Sequence, residues 1–280
     1  MNFDPQLLNL VMIINLTPDS FSERNRFGCA EDLVKTLDIA WGKGVRYFDV
    51  GAQSTAPQST PIDLNTEIAR WNLWQAPALQ VWLTQHPAAV ISADTYRGEL
   101  IDYLMSSRLL QGCLKIWNDV SGVNDTMLQK TLSRYPALKY IHTFTGNQDR
   151  AQTPFVSRQV LVAGDIATAL RADWDAMIKF FQENFSSDRL ILDWGMGFGK
   201  TQMAQEKLLA QALPAADEYL ARSDFAGGLM MGLSRKSFLA PQAWAMDERD
   251  KLAQQYYQHF GQALASFKHR FYWRQHLDFA

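Results

Sequence analysis

Cysteine is almost absent from this chain: Cys29 and Cys113 are the two in 280 residues. That excludes a disulfide framework and a cysteine metal knuckle, and it fits a reducing compartment. Histidine is also scarce, and His86, His142, His259, His269 and His276 show no H-x-x-x-H spacing for zinc. No G-x-S-x-G elbow marks a serine hydrolase. The net charge is −2 and the pI about 6.2, which leaves no electrostatic footprint for nucleic acid beyond the short cluster Lys268-His269-Arg270. No run approaches the ~18 consecutive apolar residues of a membrane span. The apolar start Leu7–Ile14 has no Lys or Arg before it and is interrupted by Asn9, unlike a secretory signal. The expectation is a cytoplasmic protein with neither membrane nor nucleic-acid partners.

What is present is an ordinary globular composition, 47% apolar and 20% charged. Apolar or β-branched runs at 10–15, 45–50, 89–93, 114–118, 138–142, 189–193, 229–233 and 271–276 read as strands. Between them lie stretches of helical spacing: 30–41, 64–85, 98–107, 125–135, 163–184, 204–221 and 248–267. Asp94 and Asn124 stand at plausible turn or N-cap positions. Strict alternation argues for a parallel sheet, and eight strands is the number that closes a (β/α)8 TIM barrel of about 250 residues. A doubly wound open sheet is the rival. No linker or repeat divides the chain, so residues 1–280 read as one domain. Little sequence follows the eighth strand, so the eighth helix is missing, and the outer face of that strand needs cover from the N-terminal segment, a neighbouring helix or another subunit.

The strand ends concentrate chemistry. The run Asn15–Ser22, N-L-T-P-D-S-F-S, puts five hydrogen-bonding side chains directly after a buried strand, with Pro18 unable to continue the ladder. The other ends carry Gln53, Ser54 and Thr55; Asp94 and Thr95; Asn118 and Asp119; His142; Asp193; Ser234, Arg235 and Lys236; Arg274, Gln275 and His276. In a barrel that face holds the site. The glycine run 195–201 fails as a phosphate loop because Trp194 occupies the required first Gly, and fails as G-x-G-x-x-G because Lys200 occupies the third. It reads instead as a turn that lets a flat ligand approach the backbone.

Seven blocks in order resemble the dihydropteroate synthase family. They are Asn15–Ser22; Asp49–Pro57 (D-V-G-A-Q-S-T-A-P, usually D-I-G-G-E-S-T-R-P); Ser92–Arg97; Asn118–Gly122; Leu192–Lys200; Gly232–Phe238; and the closing R-x-H, Arg274 to His276. The resemblance implies a TIM barrel, usually dimeric, that condenses 6-hydroxymethyl-7,8-dihydropterin diphosphate with 4-aminobenzoate in folate biosynthesis. It implies that Asp94, Asn118, Asp193 and Lys236 bind the pterin. Asn15, Thr55, Arg274 and His276 would bind the diphosphate, with Mg2+ at Asn15, and with Lys236 these make up the catalytic set. Thr17, Pro18, Asp19, Thr55, Pro57, Phe198 and Ser237 would surround the aminobenzoate. Two other readings remain open: a homologue that binds a pterin for another purpose, and a pterin-dependent methyltransferase. The chain departs from the pattern at Gln53 (usually Glu), Ala56 (usually Arg), Trp194 (usually Pro) and Glu23-Arg24-Asn25. Trp194 is expected to set a bulky ring on the pterin side.

Overall fold

The structure is a computed structural model, describing residues 4, 6–17, 29–55, 59–107, 110–160, 162, 164–239 and 246–277. Pro18, Asp19, Ala56 and Pro57 of the expected site, and Glu23, Arg24 and Asn25, lie outside the described residues. Eight parallel strands close into a barrel: β1 (Asn9–Asn15), β2 (Tyr47–Gly51), β3 (Val90–Asp94), β4 (Leu114–Asp119), β5 (Lys139–Thr143), β6 (Leu190–Asp193), β7 (Gly228–Gly232) and β8 (Phe271–Gln275). Each strand pairs with the next, and β8 pairs with β1 through Asn9↔Tyr272 to Met12↔Gln275. The TIM barrel stands, and the open sheet is excluded.

The helices are α1 (Ala30–Gly42), α2 (Leu64–Trp71), α3 (Pro77–Gln85), α4 (Gly98–Ser106), α5 (Thr126–Arg134), α6 (Ile166–Asn184), α7 (Gln202–Ala221) and α8 (Met246–Ala263). The helical stretch 64–85 is two helices, not one. Pro77 cannot donate a helical hydrogen bond, so the first helix ends in a 3-10 turn, Asn72–Gln75, and Pro77 opens the second. The cap of α5 is Asp125, whose side chain accepts from Leu128 N at 2.9 Å, while Asp94 closes β3 and caps nothing. Among the described residues no helix follows β8. Its outer face is covered from within the chain: Trp273 lies 5.6 Å from Tyr257 and 5.8 Å from Phe260 on α8, and Tyr257 in turn donates to the Asp4 carbonyl of the N-terminal segment. The basic cluster also has a structural task, since Arg270 donates to the carbonyls of Gly227, Leu220 and Phe225 at 2.6, 2.9 and 2.6 Å.

The strand period sorts side chains between two cores. Met12, Phe48, Ile91, Trp117, Tyr140, Leu192, Met231 and Trp273 face the helices. Val11, Ile116, Ile141, Ile191, Met230 and Tyr272 plug the barrel interior, with Tyr47 and Val90 against them. Successive side chains alternate faces, so steps of two from that plug toward the carboxyl ends stay inside. Those steps reach Asn15, Asp49, Asp94, Asn118, Thr143, Asp193, Gly232, Arg274 and His276. Six of the polar residues at strand ends, Asn15, Asp94, Asn118, Asp193, Arg274 and His276, therefore share the mouth by parity alone. Trp194, one step past Asp193, has the other parity. Its ring is wholly buried against Trp174 on α6, 4.7 Å away, so it does not flank the pterin side as expected.

Candidate active site

Arg274 is the centre of the mouth. Its Nε lies 2.5 Å from Asp49 Oδ2, and its Nη2 is ion-paired with Asp94 Oδ2. Asn118 Nδ2 donates to the same Asp49 oxygen at 2.9 Å. Asp49 is completely buried and its other oxygen has no hydrogen-bond partner among the described residues. Burial disfavours the Arg274 charge, but Asp49, Asp94 and Asp193 outweigh it and hold the guanidinium more firmly charged than usual. Asp94 moves the other way. Burial raises its carboxyl to about 7, Arg274 opposes, and Asp49 adds repulsion. Asp193 is also raised by burial, against a 2.6 Å hydrogen bond from Gly195 N and the pull of Arg274 and Lys236.

Lys236 enters from the turn after β7. Arg235 there has φ 59°, a left-handed conformation that costs a non-glycine residue about 1–2 kcal/mol. Asp250 on α8 steadies the turn, 3.7 Å from Arg235 Nε and 3.4 Å from Ser234 Oγ. Lys236 Nζ then sits 5.0 Å over the Phe198 ring, with no hydrogen-bond partner among the described residues. Burial, then Arg274, lowers it to about 8. At the far rim His276 is held neutral, well below its ordinary range, by burial and then by Arg235, Arg274 and Lys236. A polar chain runs outward from it: Asn15 Nδ2 to His276 Nε2 at 3.4 Å, His276 Nδ1 to Ser234 Oγ at 3.0 Å, and Ser234 to Asp250. With its amide nitrogen so directed, Asn15 leaves Oδ1 without a hydrogen-bond partner among the described residues, a neutral oxygen suited to a hard cation. Among the described residues no three His, Cys, Asp or Glu side chains cluster to hold a metal.

The glycine run makes its close approaches within the protein. A Cβ on Gly195, φ 61°, would lie 2.0 Å from the Phe144 carbonyl oxygen, and one on Gly197, φ 91°, 2.9 Å from Lys236 Nζ. The glycines make room for the protein's own atoms. Lys200 is equally occupied, donating to the carbonyls of Phe144, Gly195 and Phe198. Burial lowers its ammonium to about 7.

Of the expected residues, Asn15, Asp94, Asn118, Asp193, Lys236, Arg274 and His276 converge on the mouth, with Phe198 beside Lys236. Thr17 and Thr55 are half-buried on the loops after β1 and β2, and Ser237 is exposed. Asp49 was missed as a site residue. It opens the second motif block and lies two residues from Tyr47 on the inward face, so strand parity was the signal for it.

The family model for pterin binding enzymes matches residues 11–261. A dihydropteroate synthase type-2 of Escherichia coli is 30% identical over 230 residues, 81% of this chain and 76% of that protein. The chain belongs to the dihydropteroate synthase family. A Synechocystis dihydropteroate synthase is 29% identical over 229 residues, covering 81% and 71% of the two chains. Among solved structures, the Burkholderia cenocepacia dihydropteroate synthase complexed with 7,8-dihydropteroate aligns with a TM-score of 0.69 at 22% identity, over 96% of this chain and 85% of that one. The Yersinia pestis enzyme with a sulfonamide drug complex aligns at 0.73 and 19%, over 99% and 91%. These structures share the dihydropteroate synthase barrel. The family membership makes the chain a pterin-binding transferase of folate biosynthesis.

Proposed function

We propose that the chain condenses 6-hydroxymethyl-7,8-dihydropterin diphosphate with 4-aminobenzoate, giving 7,8-dihydropteroate and diphosphate. The observation that carries this reading is the pairing, in one mouth, of buried carboxylates with a firmly charged Arg274. Asp94 and Asp193 accept from pterin N–H groups, while Asn118 and Lys236 donate to its ring nitrogens and carbonyl. Arg274, whose Nη1 has no partner among the described residues, and neutral His276, Asn15 and Thr55 receive the diphosphate. The bond between the pterin methylene and the diphosphate oxygen breaks, and its electron pair leaves with diphosphate. Fixed positive charge at that oxygen stabilises the departure. The arylamine nitrogen attacks the methylene and loses its proton to solvent, so no nucleophilic side chain is needed. Thr17, Thr55, Phe198, Lys236 and Ser237 enclose the aminobenzoate, with Pro18, Asp19 and Pro57. Asn15 Oδ1 suits Mg2+, which takes few protein ligands and completes its shell with phosphate oxygens and water, and when bound would neutralise diphosphate charge. The same reading carries a homodimer acting in the cytoplasm, with residues 1–280 as its one catalytic domain.

The test supplies both substrates with Mg2+ and follows diphosphate release. Release that requires the arylamine is expected. Tight pterin binding without turnover would sink the synthase reading in favour of a pterin-binding homologue. Transfer of a methyl group to or from the pterin would point to the methyltransferase instead.

The Lys236 ammonium gives a pH signature. It gives a charge-assisted hydrogen bond only when protonated, so kcat/KM should fall as pH rises through about 8, the value burial and Arg274 impose on the free protein. In Lys236→Arg that alkaline limb should vanish up to about pH 10, since guanidinium does not titrate there. An unchanged limb would assign it to another group. For stability the sign is opposite: a lysine depressed below its unfolded value favours unfolding at neutral pH, and stability is recovered as pH rises past the folded value toward about 10.4.

A further inference from the structure

We infer that Arg97 is a positioning residue that sets the connection between β2 and α2, and with it Thr55, over the pterin cradle. The inference rests on the function proposed above. Arg97 lies three residues past Asp94, in the turn that ends β3. Its Nη1 donates to Gln53 Oε1 at 2.8 Å and its Nη2 to the Ile62 carbonyl at 2.5 Å, while Nη1 is also paired with Glu67 on α2. One guanidinium thus holds the chain leaving β2, the chain entering α2, and α2 itself. Glu67 is completely buried, so the cation has a fixed counter-charge and cannot drift.

The turn that carries Arg97 is itself held from several sides. Thr95 Oγ1 accepts from Arg97 N at 3.2 Å, Trp117 Nε1 donates to the Thr95 carbonyl at 2.7 Å, and Arg150 Nη1 donates to the Tyr96 carbonyl at 2.9 Å. The Arg97 guanidinium stacks 4.6 Å over Tyr96. Arg70 adds a second hold on the same connection, donating to the Ala52 carbonyl at 2.7 Å. The result is a rigid bracket. One end of it, Asp94, faces the pterin, and the other, Arg97, fixes the approach of the β2 loop. Gln53 accepts from Arg97 without placing a second carboxylate beside buried Glu67, so a neutral residue suits this position. Lysine could keep the Glu67 pair but lacks the planar fork that reaches both flanks of the loop.

The test compares Gln53→Leu, Arg97→Lys and Arg97→Met with the parent. Gln53→Leu removes two contacts of a half-buried side chain, one from Arg97 and a long one to Tyr96 OH at 3.5 Å, and leaves the Arg97–Glu67 pair, so folding is preserved. Amide hydrogen exchange over residues 51–63 of the ligand-free protein should accelerate about 10-fold in Gln53→Leu and more in Arg97→Met, with Arg97→Lys between, while the barrel strands stay protected. The KM for 4-aminobenzoate should rise about 10-fold, with pterin diphosphate affinity within twofold of the parent. Unchanged exchange over 51–63 in Gln53→Leu and Arg97→Met would overturn the inference. So would equal losses for both substrates, the result expected of a general structural role. Should the parent fail to turn over 4-aminobenzoate, the functional proposal falls, and the exchange measurement still decides the role of Arg97.

Discussion

Asp193→Asn is expected to weaken pterin diphosphate binding by about 30- to 1,000-fold, or ~2–4 kcal/mol, with the barrel intact. The asymmetry comes from the two carboxylate oxygens. Oδ1 accepts from Gly195 N at 2.6 Å, a contact the Asn oxygen can keep, so the turn after β6 survives. The other oxygen faces the mouth and becomes an amide N–H. A donor then meets the pterin donors, and Lys236 and Arg274, both electrostatically coupled to Asp193, lose part of their counter-charge. Calorimetric titration with the pterin diphosphate, paired with circular dichroism, separates the two effects. Affinity within threefold of the parent would mean that the pterin lies elsewhere.

Arg150→Met should produce the largest loss of stability, about 3–5 kcal/mol, because it strands a buried charge. Arg150 Nη1 donates to Asp119 at 2.6 Å and to the Tyr96 carbonyl at 2.9 Å. Its Nη2 reaches the Val123 carbonyl at 3.0 Å, and its Nε reaches Asp125 at 2.7 Å. Asp119 is fully buried and, among the described residues, keeps only Tyr140 OH and Ser121 N once the guanidinium is gone. One side chain therefore ties the turns after β3, β4 and β5. A fall in Tm of about 10 °C is expected for a chain of this size. The exposed pair Arg134–Asp102 is the control, and Arg134→Met should leave the melting temperature nearly unchanged. Similar losses in both variants would show that the Arg150 network is not special.

Much of this was legible before any coordinates. The strand runs were found within a few residues because a buried parallel strand is a short apolar run ending in a polar group. Most mouth residues were legible for the same reason, since they stand at such ends. What escaped was whatever depends on which of two faces a side chain takes, or on a partner far away in sequence. Trp194 was read by adjacency to Asp193, yet adjacency in a strand means opposite faces. Asp49 was passed over because it sits inside a strand rather than at its end. Gly195 and Gly197 signalled a close approach correctly, but composition cannot say whether the approaching atom belongs to a ligand, to Phe144 or to Lys236. The break at Pro77 was available locally and was masked by the apolar spacing on either side of it.

The pairing of β8 with β1 joins opposite ends of the sequence, and β8 also brings Arg274. A nascent chain that has not yet delivered residues 271–276 leaves β1 and β7 as unpaired edges, with Asp49 and Asp94 lacking their cation. Closure of the barrel and neutralisation of its acidic throat are then the same event. Non-local pairing of this kind slows folding and exposes those edges to aggregation meanwhile. A protease cut just ahead of β8 would remove the closing strand and the central charge of the site together, so damage there should yield no half-active species.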